Sequence, residues 1–263
     1  MPKFAANLST MFPELEAPAR FAAARDVGFR AVEFLRPYNY PLASVRQWLD
    51  DSGLEMLLLN SPPGDSDAGE KGMAALPGRE GEFRESLDLT LEYANGLGAT
   101  MMHLLAGVVP DDVPAVACEE VFVENLRVAG EVAKGKGVAL LLEPLNLQDA
   151  PGYLHTNTTH TRRIIEAVGG DNIFLQYDLY HMQIMEGNLA EGLRRNLDLI
   201  RHIQFSSLPG RHEPQFGEVN MPFMFDVIDG LGYDGWVGCE YAPKEDTLEG
   251  LSWAKPYGLG PTQ

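Results

Sequence analysis

Cysteine is nearly absent, with only Cys118 and Cys239 in 263 residues, far apart and without metal-ligand spacing. That argues against a disulfide framework and leaves both as small buried hydrophobes of a reducing compartment, the cytoplasm by default. Positive charge is scarce as well, 20 Lys and Arg against 38 Asp and Glu, for a net charge of −18. Nucleic acid and anionic membrane are bound chiefly through Lys and Arg, so neither is an expected partner. An anionic substrate would need local positive groups or a metal. No apolar run is long enough to span a bilayer and no basic, apolar leader opens the chain, so neither a membrane helix nor a signal peptide is expected. Low-complexity tracts, Ser/Gly linkers and composition shifts are missing too, and residues 1–263 read as a single domain.

What remains is alternation. Hydrophobic residues make up 45% of the chain, enough for a sizeable core. Short apolar or β-branched runs predict strands at Lys3–Leu8, Arg30–Leu35, Glu55–Asn60, Thr100–Ala106, Val138–Glu143, Ile173–Asp178, His202–Ser206 and Trp236–Tyr241. Between them, helical patterns cover Pro18–Val27, Leu42–Ser52, Glu80–Leu97, Pro114–Lys136, Thr158–Val168, Leu189–Asn196, Pro222–Gly230 and Thr247–Trp253. Each helix carries the chain back to the starting edge, so the strands are parallel. An open doubly wound sheet normally has a Gly-rich phosphate turn after its first strand, but Leu8-Ser-Thr-Met-Phe-Pro13 stands there instead. The pattern therefore predicts a closed (β/α)8 TIM barrel. Two long connections, Ser61–Arg79 and Leu208–Asn220, follow strand C-termini, the face on which barrel active sites lie, and could enclose a site.

Four successive late strands end on a ligand type: Glu143, Asp178, Gln204 and Glu240. Period-two alternation turns each inward, aligned with Ala139 and Leu141, Phe174 and Gln176, His202 and Ser206, and Trp236 and Gly238 respectively. An acid at a strand end often only caps the next helix. Three carboxylates converging in a barrel mouth, however, repel one another and lose hydration unless a cation neutralises them. Carboxylate and amide oxygens are hard ligands, favouring Mg2+ or Mn2+ over zinc. His181, three residues beyond Asp178, lies above this mouth within reach of a bound substrate. Arg211 and His212, on the long loop after the seventh strand, form a candidate anion clamp. His202, one layer below Gln204, reads as a hydrogen-bonded core residue; His103, His155, His160 and Lys71 carry no specific expectation.

In order along the chain, Gly28-Phe-Arg-Ala-Val-Glu-Phe34, Pro62-Pro-Gly-Asp65, Ala75-Leu-Pro-Gly-Arg-Glu80, Glu143-Pro-Leu-Asn146 and Pro151-Gly-Tyr153 form a recognisable series. Gln176-Tyr-Asp178, Tyr180-His-Met-Gln183, His202-Ile-Gln204, Pro209-Gly-Arg-His-Glu-Pro214 and Gly232-Tyr-Asp-Gly-Trp-Val-Gly-Cys-Glu-Tyr241 complete it. Over nearly its whole length the sequence resembles the hydroxypyruvate isomerase family of xylose-isomerase-like barrels, which includes 2-oxo-tetronate isomerases. The resemblance implies a divalent metal on Glu143, Asp178, Gln204 and Glu240, with Glu143 and Glu240 as the acid/base pair. It also implies isomerisation of a short hydroxy-carbonyl acid, as in hydroxypyruvate to tartronate semialdehyde. Arg36, Leu147, Gln148, Ser206, Ser207, Gln215, Phe216 and Lys244 depart from the family pattern, most of them in βα loops or at strand ends. They bear on the substrate more than on the fold or the metal.

Rival readings are a ketose 3-epimerase or inosose-type enzyme on the same barrel, and a non-catalytic small-molecule-binding barrel with an altered pocket. A DNA-repair endonuclease of related fold is disfavoured by the charge and by the six histidines. The expected partner is a short sugar acid; a homo-oligomer is compatible with the sequence but not specified by it.

Overall fold

The computed structural model describes residues 1–261. Eight parallel strands close into a barrel in sequence order: β1 (Lys3–Asn7), β2 (Ala31–Glu33), β3 (Glu55–Asn60), β4 (Met101–His103), β5 (Ala139–Leu142), β6 (Ile173–Asp178), β7 (Ile200–Phe205) and β8 (Trp236–Cys239). Closure comes from β1 lying beside β8, with Lys3 opposite Trp236 and Ala6 opposite Cys239. The helices are α1 (Ala17–Asp26), α2 (Leu42–Ser52), α3 (Glu80–Leu97), α4 (Ala115–Gly135), α5 (Thr158–Val168), α6 (Leu179–Met185), α7 (Leu189–Asn196), α8 (Met221–Gly230) and α9 (Thr247–Gly250).

Local chemistry accounts for these bounds. Gly53 ends α2 at φ 64°, a left-handed cap that a Cβ would make costly. At the start of α5, the Asn157 side chain accepts a 2.8 Å hydrogen bond from the His160 backbone. The long helix α3 buries Phe83, Leu87, Leu91 and Ala94, recurring at helical spacing, against the barrel wall. Inside the barrel, Ala5, Ala31, Leu57, Met101, Ala139 and Leu141 pack with Phe174 and Trp236, so the inward parity expected for the fifth, sixth and eighth strands is the one adopted.

Several expected bounds are corrected. The strands at Thr100–Ala106, Val138–Glu143 and Trp236–Tyr241 stop at His103, Leu142 and Cys239. Beyond those points the chain turns outward to build the mouth, so Glu143 and Glu240 stand one residue past their strands. Helix α6 was not anticipated; it begins directly after Asp178, whose carboxylate caps it by accepting from the Tyr180 backbone at 2.9 Å. The C-terminal helix is shorter than its apolar pattern suggests and continues as a 3-10 stretch over Leu251–Tyr257. Among the described residues no helix is long and apolar enough to cross a membrane.

Both long connections lie on the side where the strands end. The segment 61–79 is tied back on itself by Gly72 N–H to Pro63 O (2.8 Å) and by an Arg79–Glu70 ion pair (2.6 Å). It also meets the chain after β4 through a Gly72–Ala106 bridge, where a Cβ on Gly72 would press on the Leu105 backbone.

Candidate active site

The expected acids meet at the C-terminal mouth. Glu143, Asp178, Gln204 and Glu240 come from successive staves β5 to β8 and are all buried. Glu143 and Glu240 line a cavity of about 290 Å³ together with Arg36, Lys71, His103, His181 and Arg211, whereas Asp178 and Gln204 are not part of its wall. Oxygens of Glu143 and Asp178 and a ring nitrogen of His181 lie within 4.8 Å of one another. Glu143 Oε1 and Asp178 Oδ2 are buried and have no hydrogen-bond partner. An unpaired buried carboxylate oxygen is costly, and two side by side form a donor set suited to a hard divalent cation.

Burial dominates the electrostatics. It raises the Glu143 carboxyl well above its usual range, helped by the neighbouring charges of Glu240 and Asp178. Burial likewise brings Glu240 to about 8, against the lowering influence of Arg211, and Asp178 to about 6. The Arg211 guanidinium reaches Glu240 Oε2 at 3.1 Å, Asp178 Oδ2 at 3.6 Å and Asp149 at 3.9 Å, and lies 4.8 Å from the centre of the Tyr180 ring. These carboxylates hold Arg211 firmly charged, outweighing its burial.

His181 is buried, and burial together with the Arg211 charge keeps it neutral. Its Nδ1 accepts from the Asn146 backbone N–H at 3.1 Å, which puts the ring proton on Nε2. A protonated Nε2, 3.7 Å from Asp178, is a donor and not a metal ligand. Gln204 is fixed from below. Its Nε2 donates to Glu33 Oε2 at 2.8 Å, and its Oε1 accepts from Gln176. Since a carboxylate only accepts, the amide is oriented by its partner's chemistry. Glu33 also accepts from Asn7 (2.9 Å) and faces His202 Nε2 (2.5 Å), so His202 is the bonded core residue expected. Gly238 gives this layer its room: a Cβ there would meet Glu33 and would lie 2.9 Å from Gln204 Cγ.

His212 does not join Arg211 at the cavity, a correction to the expected two-residue clamp. Its Nδ1 lies 2.9 Å from the Ala242 carbonyl and its backbone N–H donates to Ser207 Oγ, so it latches the loop instead. Of the departures, Arg36 lines the cavity, while Gln215, Phe216 and Lys244 gather outside it, with Lys244 4.7 Å from the Phe216 ring. Ser206 and Ser207 are buried, and Leu147 is exposed.

Three site residues escaped the sequence reading. Glu33 was readable in principle, because its spacing from Ala31 gives it the inward parity of its strand. His103 ends β4 with its Nδ1 3.3 Å from Glu143, and burial lowers it to about 3, hence neutral. Lys71 reaches the cavity only through the course of the loop that carries it, which no periodicity reports.

This barrel, with its acids gathered at the strand ends, matches the xylose isomerase-like TIM barrel model over residues 21–257, and the chain belongs to that family. It is 48% identical to a 2-oxo-tetronate isomerase of Cupriavidus necator, over 98% of this chain and 99% of the relative. It is 42% identical to the hydroxypyruvate isomerase of Escherichia coli, over 98% of this chain and 100% of the relative. A crystal structure described as AP endonuclease, family 2, from Brucella melitensis superposes with a TM-score of 0.95 at 43% identity, covering 98% of this chain and 99% of that one.

Proposed function

We propose that this chain is an isomerase that uses a divalent cation, Mg2+ or Mn2+, to interconvert short hydroxy-carbonyl acids, of the hydroxypyruvate or 2-oxo-tetronate type. The observation that carries this reading is a pair of buried glutamates, Glu143 and Glu240, presented by different strands to one cavity that also holds Arg211. The relatives named as isomerases at 40–48% identity support it. At about 290 Å³ the cavity is at the small end of ligand pockets, roughly 300–1,000 Å³, which suits three or four carbons better than six.

Glu143, Asp178, Gln204 and Glu240 would hold the cation. When bound, it supplies positive charge where the enediolate's negative charge develops. The remaining work falls to side chains. One of Glu143 and Glu240 takes the proton from the hydroxyl-bearing carbon, and the other returns a proton to the neighbouring carbonyl carbon. The hydroxyl proton passes to the former carbonyl oxygen, so that hydroxyl and carbonyl exchange places. Burial strengthens both carboxylates as bases and a bound cation would weaken them, so the two influences together set their basicity in the working enzyme. Nε2–H of His181 donates to a substrate oxygen, and Arg211, a planar double donor, holds the substrate carboxylate.

The test is proton exchange. Hydroxypyruvate incubated in D2O with Mg2+ or Mn2+ should take up deuterium and yield tartronate semialdehyde by NMR, and EDTA should stop both. Absence of exchange with three- and four-carbon acids would remove the isomerase reading and leave a binding protein.

A further inference from the structure

Arg211 is held in a manner unusual for a substrate clamp. Its backbone has φ 56°, a left-handed conformation uncommon outside glycine. The turn is locked: Arg211 N–H donates to Ser207 O (2.9 Å), Arg211 O accepts from Ala242 N–H (2.9 Å), and Ser207 N–H donates to His212 O (2.9 Å). The side chain extends from this fixed turn. That side chain is directed at the acids themselves, Glu240 at 3.1 Å and Asp178 at 3.6 Å. Asp178 Oδ2 has no hydrogen-bond partner, and the guanidinium is the cation beside it. The same two carboxylates would be claimed by a divalent ion. A guanidinium and a divalent ion cannot share these oxygens without bringing like charges to within a few ångströms, where repulsion in a partly buried site is large.

We propose that Arg211 is the site's own competing cation. Its guanidinium occupies the place beside Glu240 and Asp178 until a divalent ion takes them. Its guanidinium is then released to hold the carboxylate of the acid substrate, so the metal binds first and the acid second. Tyr180, 4.8 Å from the guanidinium, and Asp149, 3.9 Å away, give the displaced group a surface to move along without leaving the cavity. The inference rests on the reading that this group of acids binds a divalent metal, and it adds that one residue opposes metal binding while favouring substrate binding.

Those opposite signs make the test. Mn2+ affinity is measured by electron paramagnetic resonance of the free ion for the wild type and Arg211→Gln, with circular dichroism as the check on folding. Binding of D-glycerate, a hydroxy acid with no carbonyl to isomerise, is measured by calorimetry with and without Mn2+. Arg211→Gln should bind Mn2+ about tenfold more tightly or better, because a like charge is removed from the site. With Mn2+ present it should bind glycerate about tenfold more weakly, through loss of the bidentate donor. The wild type should take up glycerate only with Mn2+. A residue that merely supported the loop would weaken both ligands when replaced. Should the glutamine variant fail to fold, Arg211→Lys, which keeps the charge on a shorter reach, should move both affinities the same way by roughly threefold. An Arg211 variant that binds Mn2+ no more tightly than a Mn2+-binding wild type overturns this proposal alone, as does equal glycerate affinity with and without the ion. A wild type that takes up no Mn2+ overturns the metal reading and this proposal together.

Discussion

Glu143, Asp178 and Glu240 keep their protons in the folded chain to a higher pH than in the unfolded one: about 6 for Asp178, about 8 for Glu240, and well above the usual range for Glu143. Unfolded, each titrates near about 4. Between those limits the folded state binds more of these protons. The buried, neutral His103, His155 and His181 act the other way, leaving the unfolded state binding more protons below about pH 6.5. The net fall in stability thus comes as pH rises from about 6.5 to about 8. The metal-free melting temperature should therefore decline across that interval. Mn2+ should offset the decline at pH 8 by binding the ionised acids. A metal-free melting temperature independent of pH over this range would contradict the electrostatics described above. At the same scale, Glu143→Gln removes one of three mutually repelling acids. It should raise the metal-free melting temperature at pH 8 by about 2–4 °C, the equivalent of roughly 1 kcal/mol in a chain of this size, while abolishing turnover. Glu240→Gln should abolish turnover without that gain, because Glu240 also accepts a hydrogen bond from Arg211.

At the scale of elements, what could be read from the sequence divides by periodicity. Helices α2, α3, α5 and α7 fall at their expected bounds, and the first three are full runs of helical spacing closed by a left-handed glycine, Gly53, Gly98 and Gly169. The inward parity of Glu143, Asp178, Gln204 and Glu240 was readable because a strand's side chains alternate strictly. Helix α6 was hidden: its seven residues, Leu179–Met185, directly continue a strand, and its cap Asp178 is also that strand's last residue. The layer below the acids was hidden for another reason. Glu33, Asn7, His202 and Gln176 sit on four different strands, and only barrel closure brings them together. Strand β8 records that layer in one position, Gly238. Gly238→Ala would drive a methyl group against Glu33 and Gln204. Urea denaturation should show a loss of about 1–3 kcal/mol, the usual cost of overpacking a rigid interior, together with weaker Mn2+ binding as Gln204 is displaced. Unchanged stability would mean that β8 can move away from the barrel interior more freely than its pairing with β1 and β7 suggests.

At the scale of the molecule, charge separates two activities that one barrel could host. The superposition on a structure described as an AP endonuclease establishes the shared scaffold at 43% identity, so the distinction has to come from the surface and the cavity. A duplex is gripped by Lys and Arg that displace counterions along many phosphates. This chain carries −18 overall, and the cations near its site, Arg36, Lys71 and Arg211, line a cavity of about 290 Å³. A short acid can enter that volume and meet all three cations, whereas a duplex is too wide to enter it and approaches a chain of net charge −18. Repulsion of this kind is strongest at low salt, where the screening length is about 30 Å at 0.01 M against about 8 Å at 0.15 M. A duplex bearing an abasic site should therefore show no retardation in a native gel at either ionic strength, and no strand cleavage with Mg2+ or Mn2+. Over the same range, the KM for hydroxypyruvate should not rise with salt, because screening weakens the long-range repulsion of an anionic substrate more than the short contacts inside the cavity. Cleavage of the abasic strand, or duplex binding that weakens steeply with salt, would show that the basic residues of the mouth act together on phosphates despite the overall charge.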